Sequence, residues 1–351
     1  MGIKNLLPQF KNIIEKKHVS HYAGCKVAVD TYSWLHKGTY CCALELCTGA
    51  PTDKYVTYCL DKVRMLQSHN VTPVMVFDGA NLPSKDGTES SRKGSREANL
   101  KKGFLMLKSG NRSLAVECFQ RAVDVTPAMA HKLIRHLKKM KVEVIVAPYE
   151  ADAQLAWLSL NDHVSAIVTE DTDLIAFGAR VIFFKMDKEG WGDEFRLKLL
   201  GAVDSMNLGG WEPERVTQMC IFAGCDYLKS LDSMGPVKAH SCIFNSAANR
   251  APLDECYVKA IAKLHMDGVH VPVSYSEGFR RAYLTFQHQR VYDTTQKRLV
   301  PLKPIPPHLQ GEDMEYIGGD LPPDVAQAVA EGRVHPITHD PWPNEPPASA
   351  S

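Results

Sequence analysis

Acidic side chains follow several predicted strands of this sequence. Asp30 comes directly after the apolar run at residues 27–29, Asp78 follows residues 74–77, and Asp171 and Asp173 follow residues 166–169. Short apolar runs of this kind are typical of buried strands. Because ligands of an open parallel sheet bind beyond the carboxyl ends of its strands, these four aspartates are expected to converge on one edge.

A fourth strand-to-helix corner adds two more carboxylates, because Glu150 and Asp152 open a helical segment that follows a predicted strand at residues 142–146. A single aspartate after a strand is more often a helix N-cap than a ligand. Four corners together favour a metal site, since like charges on one edge repel unless cations or raised pKa values neutralise them. Carboxylates without paired histidines or cysteines favour Mg²⁺ or Mn²⁺, and two such ions suit in-line phosphoryl displacement.

The elements that must position these groups alternate along the chain. A fifth strand is predicted at residues 181–184, and amphipathic helices at residues 55–67 and 131–141. This alternation predicts an α/β fold with a mostly parallel central sheet flanked by helices. Residues 83–110 are polar, basic and glycine-containing, which indicates a partly helical excursion. Residues 301–351 hold eleven of the 21 prolines and are predicted to be extended or disordered, with one short helix near residues 324–331.

Bulk composition limits the class of protein. The chain has 351 residues, 44% of them hydrophobic, and a net charge of only +1. Nucleic-acid binding must therefore come from local basic patches. The basic residues at 132–141 are either a DNA-backbone face or the solvated side of an amphipathic helix. The ten cysteines form no C-x₂-C pair, which indicates reduced thiols, and no apolar stretch reaches the ~18 residues of a membrane span.

Six sequence blocks resemble the flap-endonuclease superfamily of structure-specific 5′ nucleases in their order and spacing. They are MGI at residues 1–3, VAVDTY at 27–32, VFDG at 76–79, APYEADAQ at 147–154, TEDTDL at 169–174 and GCDY at 224–227. The resemblance covers roughly residues 1–300. Further blocks at residues 34–38, 51–53 and 82–85 are most similar to the exonuclease branch of that superfamily.

The resemblance implies the PIN-like 5′-nuclease fold, with a helical arch and a DNA-binding helix–two-turn–helix region. The implied divisions are an N-terminal nuclease region at residues 1–99, an arch at 80–130, an internal nuclease region at 131–225, the helix–two-turn–helix and following helices at 226–292, and a proline-rich extension at 293–351.

The resemblance also implies residue roles. The matching metal ligands are Asp30, Asp78, Glu150, Asp152, Asp171, Asp173 and Asp226, which would hold two Mg²⁺ ions, with Mn²⁺ able to substitute. Lys85 and Arg92 match arch residues that grip the scissile phosphate. Tyr32 and His36 match residues that stack on or wedge against the nucleotide, although a half-buried helix face is their alternative explanation. The remaining implied DNA contacts are Gly2, Arg96, Ser230, Gly235 and Lys238.

The helix–two-turn–helix block departs from the family pattern. In relatives this element holds a K⁺ ion that bridges to duplex phosphates, and Ser230 is the candidate ligand here. Ser233 replaces the first glycine of the hairpin, and a side chain disfavours a turn that needs a positive φ. Pro236 removes one backbone N–H that could meet a phosphate. We therefore expect a weaker duplex grip and a gentler salt dependence.

The implied function is a 5′-to-3′ double-strand DNA exonuclease with 5′-flap endonuclease activity in nuclear DNA repair. Its substrates would be DNA with a 5′ end, nick, gap or flap, and its protein partners mismatch-repair proteins and a sliding clamp, with the nuclease itself monomeric. One alternative is another superfamily member, such as a flap endonuclease or a Holliday-junction resolvase. Another is an inactive DNA-binding scaffold, which the complete set of seven carboxylates argues against.

Overall fold

The computed structural model describes residues 2–343 and contains a central seven-stranded sheet in the order β1-β7-β6-β5-β2-β3-β4. Its strands are β1 (Glu15–His18), β2 (Lys26–Asp30), β3 (Thr72–Phe77), β4 (Glu143–Val146), β5 (Ala166–Thr169), β6 (Val181–Phe184) and β7 (Trp191–Arg196). The five strands from β6 to β4 pair in parallel, and β7 and β1 extend one edge antiparallel. A separate hairpin pairs β8 (Arg290–Asp293) with β9 (Arg298–Pro301).

Helices connect and cover the strands. They are α1 (Thr31–Thr39), α2 (Ala43–Thr48), α3 (Lys54–Ser68), α4 (Asp86–Lys108), α5 (Arg112–Ala122), α6 (Pro127–Lys139), α7 (Ala151–Leu160), α8 (Asp173–Ala176), α9 (Pro213–Ala223), α10 (Pro236–Phe244), α11 (Leu253–Met266), α12 (Tyr275–His288) and α13 (Pro323–Ala330). Within residues 2–343, none of these helices has both the length and the apolar character needed to span a membrane.

Alternate residues of the central strands enter two different cores. In β3, Val74 and Val76 join one apolar cluster, whereas Met75 and Phe77 join the other. Successive side chains of a strand point to opposite faces, so both faces of the sheet are buried against helices. This explains why the strands appear in the sequence as continuous apolar runs rather than as an alternating pattern.

The five predicted strands are confirmed, but the antiparallel edge was not predicted. Strand β1 has the sequence EKKH and β7 the sequence WGDEFR. Both are rich in charged residues. Strand β1 is the edge strand and is only partly covered, whereas β7 lies between β1 and β6. Glu194 of β7 is nevertheless buried, where it accepts hydrogen bonds from Lys17, Tyr22 and Arg196.

The predicted excursion is a helical hairpin, which we call the arch (residues 86–122). It consists of α4 and α5, which pack closely because Gly103 leaves room for the Phe119 ring. A Cβ at Gly103 would lie 2.6 Å from that ring. The base of the arch is tied to the segment after α9, since the Thr88 hydroxyl donates to the Asp226 carbonyl oxygen at 2.7 Å.

The prediction that the chain from residue 301 onward is extended or disordered is wrong for residues 301–343; residues 344–351 lie outside the described part. The predicted short helix is confirmed as α13, and its Val329 is buried in the sheet's core. Trp342 stacks on His131 of α6 with ring centroids 4.0 Å apart. The Tyr149 hydroxyl donates to the Gly319 carbonyl at 3.1 Å. Buried apolar and aromatic contacts hold this proline-rich segment in place.

Candidate active site

Six carboxylates lie at the carboxyl ends of parallel strands, as the sequence predicts. Asp30 ends β2, Asp78 follows β3, Glu150 and Asp152 begin α7 after β4, and Asp171 and Asp173 follow β5. Because β2 pairs in parallel with both β3 and β5, and β3 with β4, these ends form one edge. Asp226, which follows α9, is close enough to act electrostatically on Asp171 and Asp173.

Hydrogen bonds link these corners to one another. Asp30 accepts from the Thr169 hydroxyl at 2.8 Å and caps α1 by accepting from the Ser33 amide at 3.2 Å. Asp78 accepts from the Ala151 amide at 2.7 Å, at the start of α7. Asp30 is therefore held by a group at the end of β5, and Asp78 by a group at the start of α7.

Gly2 lies directly against the Asp171–Asp173 corner. It has a φ of 77°, and a Cβ there would lie 2.2 Å from Asp171 Oδ1 and 2.8 Å from Asp173 Oδ1. Only glycine fits this approach and this conformation. Asp171 Oδ1 also accepts from the Asp173 amide at 2.9 Å, whereas Asp173 Oδ1 is buried without a hydrogen-bond partner in the described structure.

Burial makes this cluster hard to ionise. Burial first, and the neighbouring carboxylates second, raise the pKa of Asp78 to about 7, although the Ala151 amide opposes the shift. Burial likewise raises the pKa of Asp30 to about 6 and those of Asp152 and Asp173 well above the ordinary value, with the charge of Asp171 adding to each. A carboxylate cluster with such shifts is stabilised by cations.

Lys85, immediately before the arch, and Arg92 of the arch supply positive charge beside the cluster. Lys85 Nζ contacts Glu150 Oε1 and lies 3.0 Å from Asp226, and Arg92 donates to both Asp226 oxygens at 2.8 and 2.9 Å. Burial alone would raise the pKa of Asp226, but Lys85 and Arg92 outweigh it and lower that pKa below the ordinary value. Lys85 and Arg92, which the resemblance assigns to the scissile phosphate, therefore lie against the carboxylate cluster.

The donor set fits hard divalent cations. Its ligating atoms are carboxylate oxygens, and the buried Asp173 Oδ1 has no other partner among the described residues. Within residues 2–343, no three metal-binding side chains are already arranged as a finished metal site. In this arrangement the Lys85 ammonium lies on Glu150 and Asp226 and provides part of the charge that a metal ion would provide.

Tyr32 and His36 lie one turn apart on α1, with ring centroids 6.5 Å apart. Burial raises the pKa of Tyr32, and Asp78 contributes in the same direction. Burial lowers the pKa of His36, whose charged neighbours include Arg92 and Arg96 of the arch. The two rings thus lie between the acidic edge and the arch.

Arg96 is already paired within the protein. Its guanidinium lies 3.3 Å from Asp124 and 3.9 Å from Glu89, so it bridges the two ends of the arch. Lysines of α6 are also used internally: Lys132 pairs with Asp53, and Lys138 donates to the Gly332 carbonyl at 3.4 Å. Two lysines of the α6 basic face are thus engaged by the protein itself.

The block predicted to form a helix–two-turn–helix begins with the turn segment after α9 and continues into α10. Ser230 lies against Gly224, whose φ is 98° and whose Cβ would meet Ser230 at 3.0 Å. Ser233 adopts a φ of 56°, so the chain makes the left-handed turn despite its side chain. Gly235 is extended, and Pro236 occupies the first turn of α10. Lys238 is exposed on α10. Together with Ser230 and Gly235 it belongs to this segment and not to the strand-end carboxylate cluster.

Two residues that contact the site were not assigned roles from the sequence. Tyr227 donates its hydroxyl hydrogen to Glu150 Oε2, and Thr88 bonds the Asp226 backbone. Tyr227 follows the predicted ligand Asp226 in the GCDY block, and this position could have indicated a role at the site. Thr88 carries no signal, because its contact joins positions 138 residues apart.

Two family models match this chain. The XPG N-terminal domain matches residues 1–99 and the XPG I-region matches residues 141–226. Together they cover more than half of the chain, and the chain belongs to the XPG family.

Curated relatives come from the exonuclease branch, which confirms the predicted resemblance. The chain is 44% identical to exonuclease 1 of Arabidopsis thaliana over 342 residues, which are 97% of this chain and 45% of the relative. It is 45% identical to exonuclease 1 of Oryza sativa subsp. japonica over 350 residues, 100% of this chain and 41% of the relative. The corresponding protein of Danio rerio is 44% identical over 334 residues, 95% and 41% of the two chains. The chain therefore spans less than half the length of these relatives.

Solved structures confirm the predicted α/β 5′-nuclease fold. The catalytic core of Rad2 in complex with DNA substrate superposes with a TM-score of 0.56 at 20% identity, covering 81% of this chain and 86% of that one. Flap endonuclease-1 from Methanococcus jannaschii gives a TM-score of 0.53 at 20% identity, covering 92% and 96%. Human GEN1 in complex with Holliday junction DNA gives 0.53 at 18% identity, covering 81% and 66%.

Proposed function

We propose that this chain is a metal-dependent nuclease that degrades duplex DNA in the 5′-to-3′ direction and cuts 5′ flaps. The observation that carries the proposal is the contact of Lys85 and Arg92 with Asp226, at the edge where the strand-end carboxylates converge. Carboxylates can bind divalent cations, and cationic side chains beside them can bind a phosphate group. Membership of the XPG family and similarity to exonuclease 1 support this substrate class.

The residues that would hold two Mg²⁺ ions, with Mn²⁺ able to substitute, are Asp30, Asp78, Glu150, Asp152, Asp171, Asp173 and Asp226. When bound, such ions supply activation of the attacking water and charge stabilisation at the leaving oxygen. The bonds from the Thr169 hydroxyl and the Ala151 amide hold Asp30 and Asp78 in fixed orientations for this task. Lys85 and Arg92 would contact the scissile phosphate, stabilise its developing charge and exclude water.

The DNA would pass between the arch and the acidic edge. Tyr32 and His36 line that space, and aromatic rings there can stack on an unpaired base. Gly2 and Arg96 complete the proposed contacts near the cut. Beyond it, Ser230, Gly235 and Lys238 would meet phosphates of the uncut duplex, with a K⁺ ion at Ser230. Support for that ion comes from the junction-resolving enzyme GEN-1, a structural neighbour that was solved with potassium.

The biological setting follows from the family. We propose action in nuclear DNA repair, including mismatch repair, end resection and recombination, by a monomer that works with mismatch-repair proteins and a sliding clamp. We also propose that residues 1–99 and 131–225 form the nuclease regions, that residues 80–130 form the arch, and that residues 226–292 bind duplex.

The test is a time course on a 5′-recessed duplex and on a 5′-flap substrate with Mg²⁺, with products mapped to the nucleotide. The wild type is expected to shorten the recessed strand stepwise from its 5′ end. Asp173→Ala should lose cleavage and keep DNA binding, because it removes a ligand and no phosphate contact. Asp61→Ala, on an exposed part of α3, is the matched control and should cleave like the wild type.

Three outcomes would contradict the proposal. Cleavage by Asp173→Ala at the wild-type rate would show that the carboxylate assignment is wrong. Preferential cutting of four-way junctions would instead favour a resolvase, in keeping with the similar fold of GEN1. Binding of DNA without any cleavage by the wild type would favour an inactive scaffold.

A further inference from the structure

Glu150 is held on both of its carboxylate oxygens by donors from different parts of the fold. Oε1 accepts from Lys85, at the base of the arch, and Oε2 accepts from the hydroxyl of Tyr227. The glutamate side chain is only 10% exposed, so it has little access to water as an alternative donor. Its orientation is therefore set by these two contacts.

The two donors differ in how firmly they are held. Lys85 carries its charge on a long flexible stem beside the arch, and it has a second partner in Asp226 at 3.0 Å. Tyr227 has a rigid ring that packs edge to face on Phe286 of α12, with centroids 5.0 Å apart. Its hydroxyl also lies 3.5 Å from Gln289 Oε1, at the end of α12. Tyr227 is the fixed support and Lys85 the releasable one.

We propose that Tyr227 is a positioning residue that holds Glu150 in the orientation required of a metal ligand. When Lys85 turns to a phosphate, Oε1 becomes free while the Tyr227 hydroxyl still holds Oε2, so the carboxylate does not rotate away. Donors behind a ligand orient it for the metal, and their loss typically lowers metal affinity or activity about 10- to 100-fold. This inference rests on the proposed function, because it assumes that Glu150 binds a divalent cation.

The arrangement also joins two regions of the protein. Phe286 and Gln289 belong to α12 and its C-terminal end, within the proposed duplex-binding residues 226–292, whereas Glu150 lies at the start of α7 at the sheet edge. The Tyr227 side chain contacts both. A displacement of α12 would therefore be transmitted to the orientation of one metal-ligand candidate through a single side chain.

The experiment measures Mn²⁺ binding to the DNA-free protein by the electron paramagnetic resonance signal of free Mn²⁺. Tyr227→Phe keeps the ring on Phe286 and removes only the hydroxyl, and we expect it to weaken Mn²⁺ binding about tenfold. Turnover should fall at low Mn²⁺ and recover at high Mn²⁺, while the KM for DNA stays at its wild-type value. A merely structural role would not be corrected by added metal.

A matched control exists in the same chain. Tyr22 donates its hydroxyl hydrogen to the buried Glu194, far from the acidic edge, so Tyr22→Phe removes the same kind of bond. It should lose stability without a change in Mn²⁺ affinity. A double variant tests whether Tyr227 acts through Glu150. In a Glu150→Gln background, Tyr227→Phe should have no further effect on Mn²⁺ binding.

Several outcomes overturn the inference. They are Mn²⁺ affinity in Tyr227→Phe equal to that of the wild type, or a loss that persists in full in the Glu150→Gln background. If Tyr227→Phe does not fold, Phe286→Leu shifts the same ring, and unchanged Mn²⁺ affinity in that variant would equally refute it. Failure of the wild type to bind Mn²⁺ would instead refute the proposed function, so the two failures are distinguishable.

Discussion

The ammonium group of Lys85 lies 3.0 Å from a carboxylate oxygen of Asp226, which links the base of the arch to the acidic edge. Arg92 reinforces the link at 2.8 Å. In the DNA-free protein, these cations compensate the charge of the same carboxylates that are proposed to bind metal. Metal binding and release of the arch side chains should therefore be coupled.

Lys85→Ala should bind Mn²⁺ more tightly than the wild type in the absence of DNA, because a competing cation is gone. We expect a gain of roughly tenfold, or about 1.4 kcal/mol. Cleavage should nevertheless fall on the order of 10²–10³-fold, since a donor to the phosphate is lost. Lys93→Ala, which removes an exposed lysine of α4, the helix that follows Lys85, is the control for a general charge effect. Equal Mn²⁺ affinities for all three proteins would contradict the coupling.

The metal-free protein should lose stability as pH rises from about 4 to about 7. The pKa of Asp78 is raised to about 7 from an ordinary value of 3.8, so within this window the unfolded chain releases a proton that the folded chain retains. The free energy of unfolding therefore falls with rising pH. The lowered pKa of His36 acts in the opposite direction, so the comparison must be made against a variant.

Asp78→Asn is that variant, because the amide oxygen can still accept from the Ala151 amide but cannot ionise. Thermal unfolding from pH 4 to pH 8 should show a smaller decline for Asp78→Asn, with a difference of a few degrees at pH 8. Mg²⁺ should stabilise the wild type more at pH 8 than at pH 5. Parallel pH profiles for the two proteins would show that Asp78 ionises normally.

Gly318→Ala should destabilise the protein more than Gly311→Ala. Both glycines have a positive φ, at 104° and 89°, so both substitutions strain the backbone. A Cβ at Gly318 would lie 2.4 Å from the Tyr149 ring, whereas one at Gly311 would have no atom within 4 Å. We expect an extra loss of about 1–3 kcal/mol from this overpacking, measured by urea unfolding. Equal losses would mean that residues 310–320 do not pack on Tyr149.

Ser233→Gly should stabilise the helix–two-turn–helix segment. Ser233 has a φ of 56°, a conformation that costs an L-residue roughly 1 kcal/mol and glycine little. Ser246→Gly is a control with the opposite sign, because Ser246 has an extended backbone and its side chain accepts from the Ala248 amide. The midpoint temperature of thermal unfolding should rise for Ser233→Gly and fall for Ser246→Gly. A fall for Ser233→Gly would show that its hydroxyl outweighs the backbone strain.

The sequence predicted the acidic edge well because its signals are local. Asp30 and Asp78 each follow a continuous apolar run, and parallel pairing then brings such ends together without further information. Asp226 was different: it follows a helix rather than a strand, and only the family resemblance identified it. Fold class and strand-end carboxylates could thus be inferred from physics, whereas the seventh carboxylate could not.

Contacts between distant positions were not predictable. Strand β1 forms by pairing with Glu194 and other residues of β7, about 175 positions later in the chain. No local sequence pattern indicates that it is a strand. The expectation for residues 301–351 rests on their prolines, which limit backbone hydrogen bonding but do not indicate packing. Trp342 stacks on His131 from 211 positions away, and no pattern within either segment indicates that pairing.

The parallel order of the central strands also has a kinetic consequence. Strand β2 pairs on one side with β3 and on the other with β5, whose residues lie about 140 positions later, and Asp30 depends on the second pairing through Thr169. Loop closure over such separations makes folding slow. The acidic edge cannot form in any isolated fragment of the sheet, so recovered cleavage during refolding would report the last long-range strand pairing rather than early collapse.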